Sequence, residues 1–168
     1  MTNHPVPASS DADELPEARL RRLGIDLPEP ARPRAARIQM ARRVGNQLWV
    51  SGQLPSWNGD LRYVGRVGSR WTLSEAQDAA RLSALNVLAQ ARALLPNGLD
   101  DVMSVINLRG FVAVEPDFTQ VADAVNGASD LMMTVFGEAG AHTRTAVGVA
   151  SMPYGVAVEI EALFEVRG

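Results

Sequence analysis

The sequence predicts an α+β domain in which two helices cover one face of a mixed β-sheet. Three observations carry this. From Val156 to Val166 the residues alternate, with Val156, Val158, Ile160, Ala162, Phe164 and Val166 on one face and Glu159, Glu161 and Glu165 on the other. That two-residue period belongs to a strand with one dry face. From Thr72 to Leu95, Ala76, Ala80, Ala84, Val87, Ala91 and Leu95 recur at helical spacing, and a second such stripe lies near Val121 to Val135. The segments follow one another as β-β-α-β and then α-β-β, an order that suits two layers.

The elements are justified in chain order. Met1 to about Pro16 is rich in Pro, Ser, Asp and Glu and is expected to be disordered. Glu17 to Leu23 suits one or two helical turns ended by Gly24, and Asp26 to Pro33 an extended linker. Residues 1–34 are therefore expected to be an N-terminal extension, partly disordered or extended, and residues 35–168 the α+β domain. Arg37 to Arg43 and Gln47 to Gly52 read as two strands around the turn Gly45-Asn46. Leu54 to Ser69 reads as a loop; Gly65 to Gly68 within it has the spacing of a nucleic-acid clamp, a tetrapeptide common by chance. Thr72 and Glu75 have capping-box spacing at the start of the first long helix, which Pro96-Asn97-Gly98 ends. Val102 to Val114 reads as a buried strand. Asp117 and Gln120 suggest a second capping box, opening a helix that Gly137 to Gly140 closes. Thr145 to Met152 and Val156 to Val166 are the last strands, joined by the turn Pro153-Tyr154-Gly155. One sheet face is left uncovered, which points to burial against other copies of the chain.

The 168 residues suit one domain, and 46% hydrophobic residues are enough for a core. Composition then removes several chemistries. Without cysteine there is no disulfide, thiolate metal site or cysteine nucleophile. All 16 basic residues are arginine, so there is no Schiff-base or Walker lysine. Only His4 and His142 are available as histidines, and His4 sits in the N-terminal tail, so a two-histidine metal site or a conventional Ser-His-Asp triad is poorly supplied. No metal and no cofactor is expected. A net charge of −3, a pI near 5.4 and 5% aromatic residues argue against nucleic acid as a partner. The five arginines between Arg32 and Arg43 read as a solvated edge, with an anion-binding strip as the alternative. Met1 to Glu14 has no apolar secretory core, and no apolar run approaches the ~20 residues of a membrane span. A cytoplasmic protein without membrane contact is expected.

Three places have chemical potential. Gly52, in Val50-Ser51-Gly52-Gln53-Leu54-Pro55, allows close backbone approach to a ligand or is simply a bend. Arg144, at a strand entry in His142-Thr143-Arg144-Thr145, offers a planar fork to a carboxylate or makes a surface salt bridge; His142 reads as a packing or surface residue. Glu159, Glu161 and Glu165 read as a solvated face, but one of them facing a dry cleft would be a general base with a raised pKa.

These pieces together resemble the RidA/YjgF family, also labelled endoribonuclease L-PSP. The resemblance runs from about Arg32 to Val166 and is strongest in Arg144-Thr145, Met152-Pro153 and Val158-Glu159-Ile160-Glu161-Ala162. It implies a chorismate-mutase-like fold, a homotrimer with clefts between subunits, and hydrolysis of reactive 2-iminoacids or enamines to a 2-keto acid and ammonium. It further implies that Arg144 grips the substrate carboxylate, Gly52 supplies a backbone contact, Asn126 lies near the cleft and Glu159 orients or activates water. Two positions depart from the family pattern: Ile38 stands where a tyrosine is usual, and Ala146 where a cysteine is common. The alternatives are a non-catalytic trimer that binds small carboxylates and, less favoured by the acidic charge, an endoribonuclease.

Overall fold

The computed structural model describes residues 14–33 and 37–168. His4, the disorder expected as far as residue 13 and the domain start expected at residue 35 lie outside the described residues.

The first helix, α1 (Pro16–Leu23), ends at Gly24 in the left-handed conformation with φ 62°, the termination its position suggested. It packs on the rest of the chain, with Leu20 in the core and the Arg19 guanidinium donating to the Val135 carbonyl at 3.2 Å. Next come β1 (Ala41–Val44) and β2 (Gln47–Gln53), joined at Gly45-Asn46. β1 is shorter than expected because β2 bulges between Val50 and Gln53, and Gln39 and Met40 instead meet Ser51 through single carbonyl bonds.

The stretch expected to be a loop contains a small hairpin, β3 (Ser56–Trp57) and β4 (Asp60–Leu61), around Asn58-Gly59. Its anchor is buried Asn86, whose amide donates to the Ser56 carbonyl at 2.7 Å, a tertiary tie that local sequence does not announce. Within the same stretch Arg66 turns inward to the carbonyls of Val114 and Ala150, so the Gly65–Gly68 loop serves the fold and not a clamp.

The long helix α2 (Leu73–Leu94) opens with the expected capping box: Glu75 N–H donates to Thr72 Oγ1, and Thr72 N–H donates to the Glu75 carboxylate at 2.9 Å. β5 (Val102–Ala113) follows. The second helix does not begin at Asp117. Pro116 to Gln120 instead seats Phe118 against the core, and Gln120 caps without a side-chain bond. The helix is split at Val125 into α3 (Val121–Ala124) and α4 (Asn126–Phe136), and the Val125 side chain fills the space left by Gly110 on β5. Gly127 also has a reason beyond propensity: a β-carbon there would strike the backbone carbonyl of Gln77, so its absence lets α4 lie close on α2. β6 (Thr143–Val149) starts two residues earlier than expected, and β7 (Val158–Val166) two residues later.

Among the described residues, five strands form one sheet in the order β1-β2-β7-β5-β6, with β5 and β6 parallel and the other neighbours antiparallel. Leu108, Val158, Ile160, Ala162 and Phe164 face α2 and α4, where the core sits. The strict alternation of β7 is borne out. The other face carries Trp49, Phe111, Val147 and Leu163 with Arg109 and Glu161, and Trp49 is 43% exposed. The fold is the mixed α+β, two-layer arrangement expected.

Candidate functional site

The bulge in β2 sets the first half of the site. Between Val50 and Gln53, three steps along β2 oppose two along β7. Gln53, almost wholly buried, holds this irregular backbone by donating its side-chain amide to the Ser51 carbonyl at 2.8 Å and to that of Gly52 at 3.3 Å. Gly52 then lies beside Glu159 with no side chain between them: a β-carbon on Gly52 would overlap the Glu159 carboxylate. The glycine is needed for that space and not for an unusual φ.

Glu159 is half-buried in the wall of a cavity of about 410 Å³. Ile38, Met40, Leu54 and Leu61 give the cavity apolar sides, and Tyr154 stands at its rim. Burial holds the Glu159 carboxyl above its ordinary value of 4.5, and the negative charge of Glu161 adds to the rise. A carboxylate poorly hydrated in this way is a better proton acceptor once ionised. The other two glutamates of the strand are engaged structurally. Glu161 pairs with Arg109 at 3.4 Å, and Glu165 accepts from Ser104 at 3.1 Å.

The second half lies elsewhere. Arg144 on β6 pairs in register with Leu108, and Leu108 with Ala162, so its side chain is on the helix-covered face at the sheet edge. Glu159 pairs with Phe111 and so points to the opposite face. One chain therefore does not bring Arg144 and Glu159 together. Arg144 is half-buried and donates through Nη1 to Asn126 Oδ1 at 2.9 Å and to Ser129 Oγ at 3.0 Å. Both acceptors are neutral. Among the described residues no carboxylate lies within ion-pair distance of it, so its charge is available to an external anion.

The split of the second helix explains Asn126. The break at Val125 makes Asn126 the first residue of α4, beside the edge strand, and Ser129 follows one turn later on the same side. Ser129 was not singled out from the sequence, although its three-residue spacing from Asn126 is a readable signal. His142 is half-buried, and its ring bonds the Gly140 carbonyl at 2.6 Å and Ser129 at 3.0 Å. Met40, Leu61 and Tyr154 were also missed, since only the bulge and the small hairpin bring them to one cavity. Among the described residues no group of His, Asp or Glu has the make-up of a metal site, and no helix is long and apolar enough to cross a membrane.

Comparison with known proteins adds a lineage to this geometry. Residues 17–165 match the family model described as "YjgF/chorismate mutase-like, putative endoribonuclease". Protein TCP17 of Trypanosoma cruzi is 46% identical over 151 residues, which span 89% of this chain and 93% of that protein. A protein of unknown function from Agrobacterium tumefaciens, Atu1372, shares 44% identity and superposes with a TM-score of 0.83 over 92% of this chain and 94% of its own. A "putative endoribonuclease" from Shewanella oneidensis shares 34% identity and superposes with a TM-score of 0.86 over 91% of this chain and all of its own.

Proposed function

Because the chain belongs to the YjgF/chorismate mutase-like family, we propose that it hydrolyses 2-iminoacids or their enamines to a 2-keto acid and ammonium, at clefts between copies of itself in a homotrimer. The observation that carries this is the poorly hydrated Glu159 carboxylate, seated in the space Gly52 leaves open, in the wall of a cavity large enough for a small organic acid.

The chemistry needs little more. Arg144 of one copy holds the substrate carboxylate with two parallel N–H bonds, and Asn126 fixes the guanidinium from behind. The Gly52 backbone lines the substrate beside Glu159 of the neighbouring copy. A protonated imine carbon is already electrophilic. Glu159 accepts a proton from water as the water oxygen bonds to that carbon, and the carbon–nitrogen double bond becomes single. Glu159 then returns its proton to the carbinolamine nitrogen, the carbon–nitrogen bond breaks as the hydroxyl oxygen forms the carbonyl, and the hydroxyl proton passes to the departing ammonia, which leaves as ammonium. Water is the only co-reactant. The opposite faces of Arg144 and Glu159 support a site between copies, and the exposed outer sheet face with Trp49 and Val147 supports their association.

Ile38 beside the cavity favours a second reading, a trimer that binds small carboxylates without turning them over, because it offers no polar group at that wall. One experiment separates the two. The protein is given 2-aminoacrylate formed in situ, and ammonia and pyruvate release is followed beside Arg144→Ala and buffer. Faster release by the wild type alone supports hydrolysis. Equal rates in all three, with heat of pyruvate binding in calorimetry, select the binding reading.

A further inference from the structure

Ser129 and His142 form a chain that ends on Arg144, and its hydrogen-bond directions can be assigned atom by atom. The Gly140 carbonyl can only accept, so His142 Nδ1, 2.6 Å away, carries a proton in every charge state. In neutral His142 the other nitrogen, Nε2, is then an acceptor. Ser129 Oγ stands 3.0 Å from Nε2 and directs its hydroxyl proton there. That leaves the lone pairs of Oγ for Arg144 Nη1 at 3.0 Å, while the second Nη1 proton goes to Asn126 at 2.9 Å.

Nη1 is thus fully used, and the guanidinium plane is fixed by two acceptors on one of its nitrogens. The Nε–H and one Nη2–H lie parallel on the other edge, and among the described residues neither has a partner. A serine inside a helix usually bonds back to the carbonyl four residues earlier. Ser129 instead reaches out of α4 to two side chains, which is a use of its hydroxyl that the helix itself does not require.

We propose that Ser129 and His142 are positioning residues: acting through the Gly140 carbonyl, they orient Arg144 so that its Nε/Nη2 edge meets the substrate carboxylate. This rests on the carboxylate-binding role proposed above for Arg144, and the test keeps the two apart.

The test uses four variants of the full chain. Ser129→Ala removes the hydroxyl and Ser129→Thr restores one. His142→Asn keeps a donor for the Gly140 carbonyl but is too short to reach Ser129, whereas His142→Gln has that reach. KM and kcat are measured with 2-iminopropanoate formed in situ, and the Nη nitrogens of Arg144 are followed by ¹⁵N NMR. Ser129→Ala and His142→Asn are expected to raise KM about tenfold with kcat within about twofold, the effect of losing one hydrogen bond to a charged group. Ser129→Thr and His142→Gln recover most of the loss. In the spectrum, the wild type shows separate Nη signals, which merge in Ser129→Ala as rotation about the guanidinium bonds is freed. If the wild type turns over the imine, an unchanged KM in both damaging variants overturns the proposal. If the wild type is inactive, the proposed function fails and the spectrum alone decides: Nη signals still separate in Ser129→Ala overturn the positioning role, and merged signals support it.

Discussion

Gly52 and Glu159 share one space: a β-carbon on the glycine would overlap the carboxylate and stand 2.9 Å from its Cγ. Only the far part of a flexible side chain opposes it, so Gly52→Ala is accommodated by turning Glu159 away. The backbone φ at Gly52 is not in the left-handed region, and alanine there stiffens the unfolded chain. The expected outcome is a change in folding stability below about 1 kcal/mol with a loss of imine hydrolysis of about 100-fold or more. Urea denaturation and ammonia release, measured on the same preparation, check this. Equal losses in both would mean that the glycine serves the fold alone.

The opposite faces of Arg144 and Glu159 lead to a prediction about mixtures. Arg144→Ala and Glu159→Gln are each expected to be nearly inactive. When the two variants are unfolded together and refolded at equal amounts, a site that draws its arginine from one copy and its glutamate from the next is intact about one time in four. Activity near a quarter of wild type is therefore expected from two inactive parents. A mixture as inactive as its parents would show that both groups act within one copy.

The raised Glu159 pKa has a sign that can be followed in both rate and stability. Its first cause is burial and its second the charge of Glu161. The base works when ionised, so the rate falls as pH drops through the raised value. Glu161→Gln removes the second cause, and the acidic limb of the rate profile is expected to move to lower pH. In stability, the folded state holds this proton more tightly than the unfolded chain. The favourable contribution is full below the ordinary value of 4.5 and is lost as pH rises through the folded value. Glu159→Gln, which never ionises, is therefore expected to melt above wild type at pH 8, with the gap closing near pH 4. Thermal melts at the two pH values measure it.

Local signals were legible wherever local forces decide. The capping box at Thr72, the stop at Gly24 and the alternation of β7 each depend on residues within a few positions of one another. The fold class followed from their order, and Arg144, Asn126, Gly52 and Glu159 stood out by resemblance. What the sequence did not disclose depends on distant partners. Asn86 turns an apparent loop into a hairpin from 30 positions away. The helix that its periodicity draws as continuous breaks at Val125, whose side chain fills the space over distant Gly110. The sequence also gives no sign that Arg144 and Glu159 face opposite ways, because faces follow from strand order and register, and β5 separates β6 from β7.

One carboxylate ties the first helix to the turn before β5, which yields a prediction about stability without activity. Glu17 Oε1 accepts from the buried Leu99 N–H at 3.0 Å, and its Oε2 pairs with half-exposed Arg92 at 3.0 Å. Gly98 lacks the β-carbon that would stand 2.5 Å from Oε1, so the turn is shaped around this contact. Glu17→Ala leaves the Leu99 N–H buried without an acceptor, at a cost of about 1–3 kcal/mol. Glu17→Gln keeps an acceptor there and loses only the pair with Arg92, which is half in water and worth about 1 kcal/mol or less. Chemical denaturation is expected to rank wild type above Glu17→Gln and both above Glu17→Ala. Activity per folded molecule is expected to stay unchanged, because α1 meets α4 near Val135, at the far end from Asn126 and Ser129. A loss of activity in the stable Glu17→Gln variant would instead tie α1 to the orientation of Arg144.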